Sequence, residues 1–115
     1  MNKQKLVIIG GGGMVGATAA YACALRSVVE EIVLIDRNAD LVWGQAADIN
    51  DAMGLDRNVE VRAGDYSDIA TDDIVVITAG APQQPGQTRL ELVGVNANIM
   101  RDIVKNIMAG GAKPY

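Results

Sequence analysis

Apolar residues along this chain fall into two textures, short unbroken runs that stop at glycine or aspartate and longer stretches in which they recur every three or four residues. Lys5-Leu6-Val7-Ile8-Ile9 is a run of the first kind leading into glycines, and it predicts a strand buried on both faces that ends in a tight turn. From Met14 to about Leu25, small residues (Ala17, Ala19, Ala20, Ala22, Ala24) with Val15 and Leu25 predict a helix able to approach a sheet closely. Glu31-Ile32-Val33-Leu34-Ile35 is a second buried strand ending at Asp36, after which Asn38 or Asp40 could cap a helix running to about Met53. Val59-Glu60-Val61-Arg62 alternates, as a strand near a sheet edge does, whereas Asp73–Thr78 reads as a fourth, deeply buried strand. Beyond a loop at Gly80–Thr88, apolar residues at Val93, Ile99, Met100, Ile103, Val104, Ile107 and Met108 predict a helix with one buried stripe. Ala109-Gly110-Gly111 ends that helix, and Lys113-Pro114 marks a turn at which another strand could begin.

Strands that alternate with helices imply a parallel sheet. Right-handed crossovers place the first three strands in the order 3-2-1, and the fourth then returns to lie beside the first. The nine residues between Ala63 and Asp73 reach up to ~30 Å if extended, enough to cross two strands. The expected fold is therefore α/β, a Rossmann-type doubly wound parallel sheet with helices on both faces, incomplete at about four strands in the order 3-2-1-4. In such a sheet the outer edge of the fourth strand is unpaired, which invites association.

Composition narrows the function. At 115 residues, half of them apolar, the chain can bury one modest core and has no room for a second large domain. A net charge of −4 without basic runs argues against nucleic acid as a partner. No apolar stretch reaches the ~20 residues that span a bilayer, and no signal-peptide pattern is present, so a soluble, cytoplasmic protein is expected. The single cysteine, Cys23, lies among alanines and reads as a small buried residue. There is no histidine, which excludes an imidazole acid or base within this chain, and no metal site is expected.

Gly11-Gly12-Gly13-Met14-Val15-Gly16 satisfies G-x-G-x-x-G between a predicted strand and a predicted helix. There Gly11 permits the turn, Gly13 lets a pyrophosphate approach the backbone, and Gly16 permits close helix–strand packing. Asp36 follows twenty residues after Gly16 at the end of the next strand, where an acidic side chain accepts hydrogen bonds from the adenine ribose and repels a 2′-phosphate. Arg37 beside it could accommodate that phosphate, but the aspartate favours NAD over NADP. Thr78-Ala79-Gly80-Ala81 places small residues at the carboxyl end of the fourth strand, beside the strand-order reversal where ligands bind in open α/β sheets. Pro82-Gln83-Gln84-Pro85-Gly86-Gln87-Thr88-Arg89 is long and polar enough to act as a lid, with Arg89 able to polarise a carbonyl.

Taken together, G-G-G-M-V-G, E-I-V-L-I-D, A-G-D-Y-S-D and V-V-I-T-A-G-A-P-Q-Q-P-G-Q-T-R-L-E-L-V resemble, in order and spacing, the amino-terminal part of the L-lactate/malate dehydrogenase family. The resemblance covers essentially the whole chain. It implies that Gly11, Gly13, Met14, Val15 and Gly16 border the cofactor pyrophosphate and that Asp36 holds the adenosine ribose. It also implies that Tyr66, Thr78, Ala79, Gly80 and Ala81 line the groove, with Asn96 and Ile99 bordering it from the following helix. Arg89 resembles the lid arginine that polarises the keto group, and is the one catalytic residue the resemblance carries to this chain. Gln83 stands where malate enzymes carry an arginine and lactate enzymes a glutamine, so pyruvate/lactate is the implied substrate, with malate or another 2-hydroxy acid as the alternative. A neutral amide offers no counter-charge to a second carboxylate.

By the same resemblance, the substrate-orienting asparagine, the carboxylate-gripping arginine and the catalytic histidine with its aspartate fall beyond Tyr115. Residues 1–115 then form a truncated dinucleotide-binding domain without a catalytic domain, inactive alone, from a parent expected to be a homo-oligomer. A stand-alone dinucleotide-binding module is the reading of a different class. Three features depart from the family pattern: Gly10 lengthens the glycine run and predicts a more mobile turn, Ser27 stands where a helix-ending glycine is common, and Asp51-Ala52-Met53-Gly54 replaces a histidine-containing stretch.

Overall fold

The computed structural model describes residues 4–54 and 58–115. Its elements are β1 (Lys5–Ile9), α1 (Met14–Leu25), β2 (Glu31–Ile35), α2 (Ala39–Met53), β3 (Glu60–Ala63), β4 (Ile74–Ile77) and α3 (Arg89–Ala109), with a short 3-10 turn at Tyr66–Asp68. The strands form one parallel sheet in the order β3-β2-β1-β4, as the crossover argument requires. The alternation of side chains across the sheet divides the core in two. Leu6, Ile8, Ile32, Leu34 and Val61 face α1 and α2, while Val7, Ile9, Val33 and Ile35 face Ile69 and Ile103 on the opposite side. Alanines at 20 and 24, fully buried, let α1 lie close against the strands.

Helix ends follow their sequence signals. Asn38 caps α2, its side chain accepting from the Leu41 N–H at 3.1 Å, and Thr88 caps α3 through Glu91 N–H at 3.1 Å. At the end of α1, the Ser27 N–H donates to Ala24 O at 3.1 Å and the Val28 N–H to Cys23 O at 3.3 Å, which is the Schellman pattern. Ser27 occupies its left-handed position with φ 51°. Opposite the glycine turn, at the amino ends of the strands, Lys5 pairs with the buried Asp73 at 3.2 Å, and Arg62 bridges Glu31 at 2.8 Å and Asp68 at 3.0 Å.

The structure corrects four expectations. β3 begins one residue later than its alternation suggests, and its outer edge is closed by the Asn50 amide, which donates to Val61 O at 2.6 Å and accepts from Val61 N–H at 3.2 Å. β4 is not deeply buried: Val75 and Ile77 pack into the core, but Ile74 and Val76 are about 40% and 38% exposed, because α1 and α2 cover the other strands and leave this face open. Nor is the β4 edge bare. Asp72 N–H donates to Lys113 O at 3.2 Å, Tyr115 N–H to Asp73 O at 2.7 Å and Val75 N–H to Tyr115 O at 2.7 Å, so residues 113–115 begin a parallel partner. On α3 the buried stripe is narrower than its periodicity implies: Ile103 is buried with Ile99 and Ile107 beside it, while Val93, Met100, Val104 and Met108 are exposed.

Candidate functional site

The carboxyl ends of β1, β2 and β4 open into a cleft of about 450 Å³. Strand-order reversal creates it: the crossovers leaving β1 and β4 go to opposite faces of the sheet and part the chain between them. Gly13, Asp36, Tyr66, Thr78, Ala79, Gly80 and Ile99 line it, as do Ile9, Gly10, Ile35, Arg37, Asp102, Ile103 and Asn106.

The glycine turn shapes one wall. Gly10, rather than Gly11, takes the positive φ of 96° at the turn. It is held on three sides: its N–H donates to Ile35 O at 2.8 Å, and its carbonyl accepts from Gly13 N–H at 3.0 Å and from the Thr78 hydroxyl at 3.4 Å. The additional glycine therefore fits a pinned turn, not a loosened one. A Cβ at Gly10 would lie 2.7 Å from Ala79 N, one at Gly11 2.8 Å from Leu34 Cβ, and one at Gly16 2.5 Å from Gly10 O. Those three positions are closed to any side chain. Gly13 differs, since its Cβ would meet only Gly10 O at 3.5 Å. Gly11 and Gly16 are buried beneath the turn, whereas Met14 and Val15 project from the first turn of α1, 84% and 70% exposed.

The helix that follows is unlike the other two. α2 and α3 have side-chain caps and an acidic residue in their first turns, whereas α1 starts at Gly13 with no side-chain cap and no acid. Its leading N–H groups and the positive end of its dipole therefore remain for an anion. Asp36 stands beside this turn, accepting from Gly12 N–H at 3.0 Å on one oxygen and from Asn38 N–H at 3.4 Å on the other. A carboxylate has about four lone-pair sites, so each oxygen keeps capacity for a hydroxyl in the cleft.

The far wall comes from β4, the 3-10 turn and α3. Thr78 N–H donates to Ile9 O at 2.8 Å and its hydroxyl approaches the same carbonyl at 3.2 Å, which ties the end of β4 to the glycine turn. Asn96 reaches from α3 to accept from Ala81 N–H at 2.8 Å, placing it beneath the loop instead of at the cleft wall. Tyr66 is presented by the 3-10 turn, whose Asp65 and Asp68 form a reciprocal cap. Burial pushes the Tyr66 phenol above its usual range, and a hydrogen bond with the Asn106 amide pulls it part of the way back. The phenol is thus a protonated donor at neutral pH.

Gln83 and Arg89 lie outside the cleft, both exposed. Pro85 and Gly86 (φ 80°) form the centre of a type II turn closed by Gln87 N–H to Gln84 O at 3.0 Å, and the Gln83 amide donates to Gln87 O at 2.8 Å. Arg89 is the first residue of α3, where the helix dipole disfavours a cation. Among the described residues it makes no ion pair.

Sequence reasoning passed over Gly10 as a site residue, and it passed over Asp102 and Asn106. The last two follow Ile99 by three and seven residues, the spacing of a single helix face, which is the signal that could have found them.

The profile described as lactate/malate dehydrogenase, NAD binding domain, matches residues 4–114. Malate dehydrogenase of Haloarcula marismortui is 49% identical over 105 residues, 90% of this chain and 34% of that protein. L-lactate dehydrogenase of Thermoanaerobacter pseudethanolicus is 48% identical over 108 residues, 94% of this chain and 34% of that protein. Among solved structures, malate dehydrogenase from Archaeoglobus fulgidus in complex with NADH superimposes with a TM-score of 0.84 at 39% identity, covering 96% of this chain and 39% of its own. The chain thus spans about a third of the length of the curated relatives it matches. With the sheet order, the glycine turn and the matched residues in agreement, this chain belongs to the lactate/malate dehydrogenase family, of which it forms the NAD-binding domain.

Proposed function

We propose that the chain holds NAD(H) for an L-lactate dehydrogenase, with the pyrophosphate over Gly13 and the uncapped start of α1 and the adenine ribose on Asp36. The residues present fit such a group. Among the described residues, the cleft begins at the one helix start left without a cap or an acid, and Gly13 alone of the turn glycines has room for a Cβ, at ordinary contact distance from Gly10 O. Met14 and Val15 flank the pyrophosphate position, Gly11 and Gly16 keep the turn close, and Thr78, Ala79, Gly80 and Ala81 lead towards the nicotinamide end, with Asn96 holding that segment in place. When bound, the nicotinamide supplies or accepts the hydride exchanged with the C2 atom of a 2-hydroxy/2-keto acid.

On this reading the turn that carries Gln83 closes over the substrate, and Arg89 donates hydrogen bonds to its carbonyl oxygen as negative charge develops there. The chain contains no histidine, so no imidazole within it exchanges the proton that accompanies the hydride. No helix among the described residues is long and apolar enough to cross a membrane; a cytoplasmic location remains part of the proposal.

Gln83 is the observation that selects lactate, because a neutral amide cannot balance the second carboxylate of a dicarboxylic substrate. The similarity to haloarchaeal malate dehydrogenases supports malate as the second reading. The test is the whole enzyme with pyruvate and with oxaloacetate, before and after Gln83→Arg. The lactate reading expects pyruvate to be preferred natively and the preference to move towards oxaloacetate in the variant. A native preference for oxaloacetate would establish the malate reading instead.

A further inference from the structure

The crossover from β3 to β4 carries Tyr66 to the cleft with no helix beyond the short 3-10 turn to stiffen it. The backbone N–H groups of Asp65, Ser67, Asp68, Ile69 and Ala70 all donate to acceptors within residues 65–73, so none of them ties the segment to a strand. Burial of Ile69 supplies one apolar anchor. The polar anchors come from the strands beneath. Lys5, Glu31 and Arg62 share the sheet face of Val7 and Val33, since side chains alternate along β1 and β2 and Arg62 stands in register with Val33. Lys5 Nζ donates to the Asp68 carbonyl and pairs with the Asp73 carboxylate at 3.2 Å. Arg62 forks between Glu31 at 2.8 Å and Asp68 at 3.0 Å. Asp68, two residues after Tyr66, is thus held through its backbone from β1 and through its side chain from β3.

One buried side chain fixes where a loop sits but leaves it free to pivot about that contact, and two charged anchors on a neighbouring residue remove the pivot. We infer that Lys5 and Arg62, acting through Asp68, are positioning residues for NAD(H): they hold the 3-10 turn so that Tyr66 stands as a wall of the cleft. Neither residue lines the cleft itself. Their effect is on how much of the time the wall is in place, and a site that is competent only part of the time loses affinity in proportion to that fraction. Arg62 suits the task because its planar fork reaches two carboxylates at once, which the single ammonium of a lysine does less well. This inference rests on the NAD reading of the cleft and adds to it residues that act from beneath the crossover, outside the cleft.

The test is a double-mutant cycle read by NADH titration of the purified protein, followed by cofactor fluorescence well below the unfolding midpoint of every variant. Arg62→Met should weaken NADH binding by at least about threefold, and Arg62→Lys should recover part of that loss. Tyr66→Ala should weaken binding as well, and adding Arg62→Met to it should cost nothing further, because the wall that Arg62 positions is already gone. Asp68→Asn, which keeps the shape of the side chain and gives up the ion pair, serves as the second variant and should show the same dependence on Tyr66. A lower Tm with native NADH affinity in Arg62→Met and Asp68→Asn would overturn the positioning role and leave these residues a purely structural one. An equal loss with and without the Tyr66 ring would overturn it too, since the network would then act by another route. Either result leaves the dinucleotide assignment intact, whereas absence of saturable NADH binding by the native protein would overturn both.

Discussion

Gly16 and Gly13 lie in the same turn and should respond to alanine in opposite ways. At Gly16 the new Cβ would stand 2.5 Å from Gly10 O and 2.8 Å from Thr78 Oγ1. The first neighbour is backbone and cannot rotate aside, so α1 must retreat by roughly 0.9 Å to reach ordinary contact near 3.4 Å. Overpacking of that kind costs about 1–3 kcal/mol, which in a domain of this size lowers Tm by roughly 4 °C or more. At Gly13 the Cβ meets only Gly10 O at 3.5 Å, and φ is −82°, open to any residue. Alanine is a poorer N-cap than glycine, but it removes about 0.4–1 kcal/mol of unfolded-chain entropy, so the net change in stability is small. Its methyl group, however, stands in the cleft where the pyrophosphate must approach. Thermal unfolding and NADH titration on the two variants should therefore separate: Gly16→Ala loses stability and binding together, and Gly13→Ala keeps its Tm while losing at least about tenfold in affinity. An unchanged Tm in Gly16→Ala, or native affinity in Gly13→Ala, would refute the division of roles.

Two further outcomes follow from local chemistry. Ser27 closes the Schellman turn of α1 with φ 51°, a conformation that costs a non-glycine residue about 1–2 kcal/mol; after the entropic cost of the added glycine, Ser27→Gly should stabilise by about 0.5–1 kcal/mol, and a lower Tm would contradict the assignment. The Asp68 carboxyl is held below the usual carboxylate range, chiefly by the Asp65 N–H and then by Arg62. A folded-state pKa below the unfolded one contributes stability that is present above the unfolded value near pH 4 and lost as pH falls through the folded value. Asp68→Asn should lower Tm at neutral pH and flatten its acid dependence, and parallel Tm–pH curves would count against this.

The architecture was legible wherever a strand is an unbroken apolar run. Lys5–Ile9 and Glu31–Ile35 have the same limits in sequence and in structure, and Asn38 caps α2 as one of the two residues able to do so. β4 misled because an apolar run records only which residues could be buried, and Ile74 and Val76 lie on a face that α1 and α2 do not reach. The 3-10 turn at Tyr66–Asp68 depends on two aspartates that exchange hydrogen bonds with each other's backbone, a pairing that hydrophobic periodicity does not register. On the site, Asp36 and the glycines carry local signals, a strand end and a turn. Asp102, Asn106 and Tyr66 meet only because α3 and the 3-10 turn converge on one side of the sheet, and that is tertiary information. Gly10 was misjudged for a related reason: its need for glycine comes from Ala79 and Thr78, nearly seventy residues away.

The central claim is that the cleft holds NAD with its adenine ribose on Asp36. It is tested most directly by titrating the purified protein with NADH and with NADPH, natively and as Asp36→Ala. Two charge-assisted hydrogen bonds to the ribose hydroxyls predict saturable NADH binding, weakened by at least about tenfold in the variant, and a native preference for NADH that narrows or disappears with the carboxylate. NADH affinity untouched by loss of Asp36, or a native preference for NADPH, would contradict it.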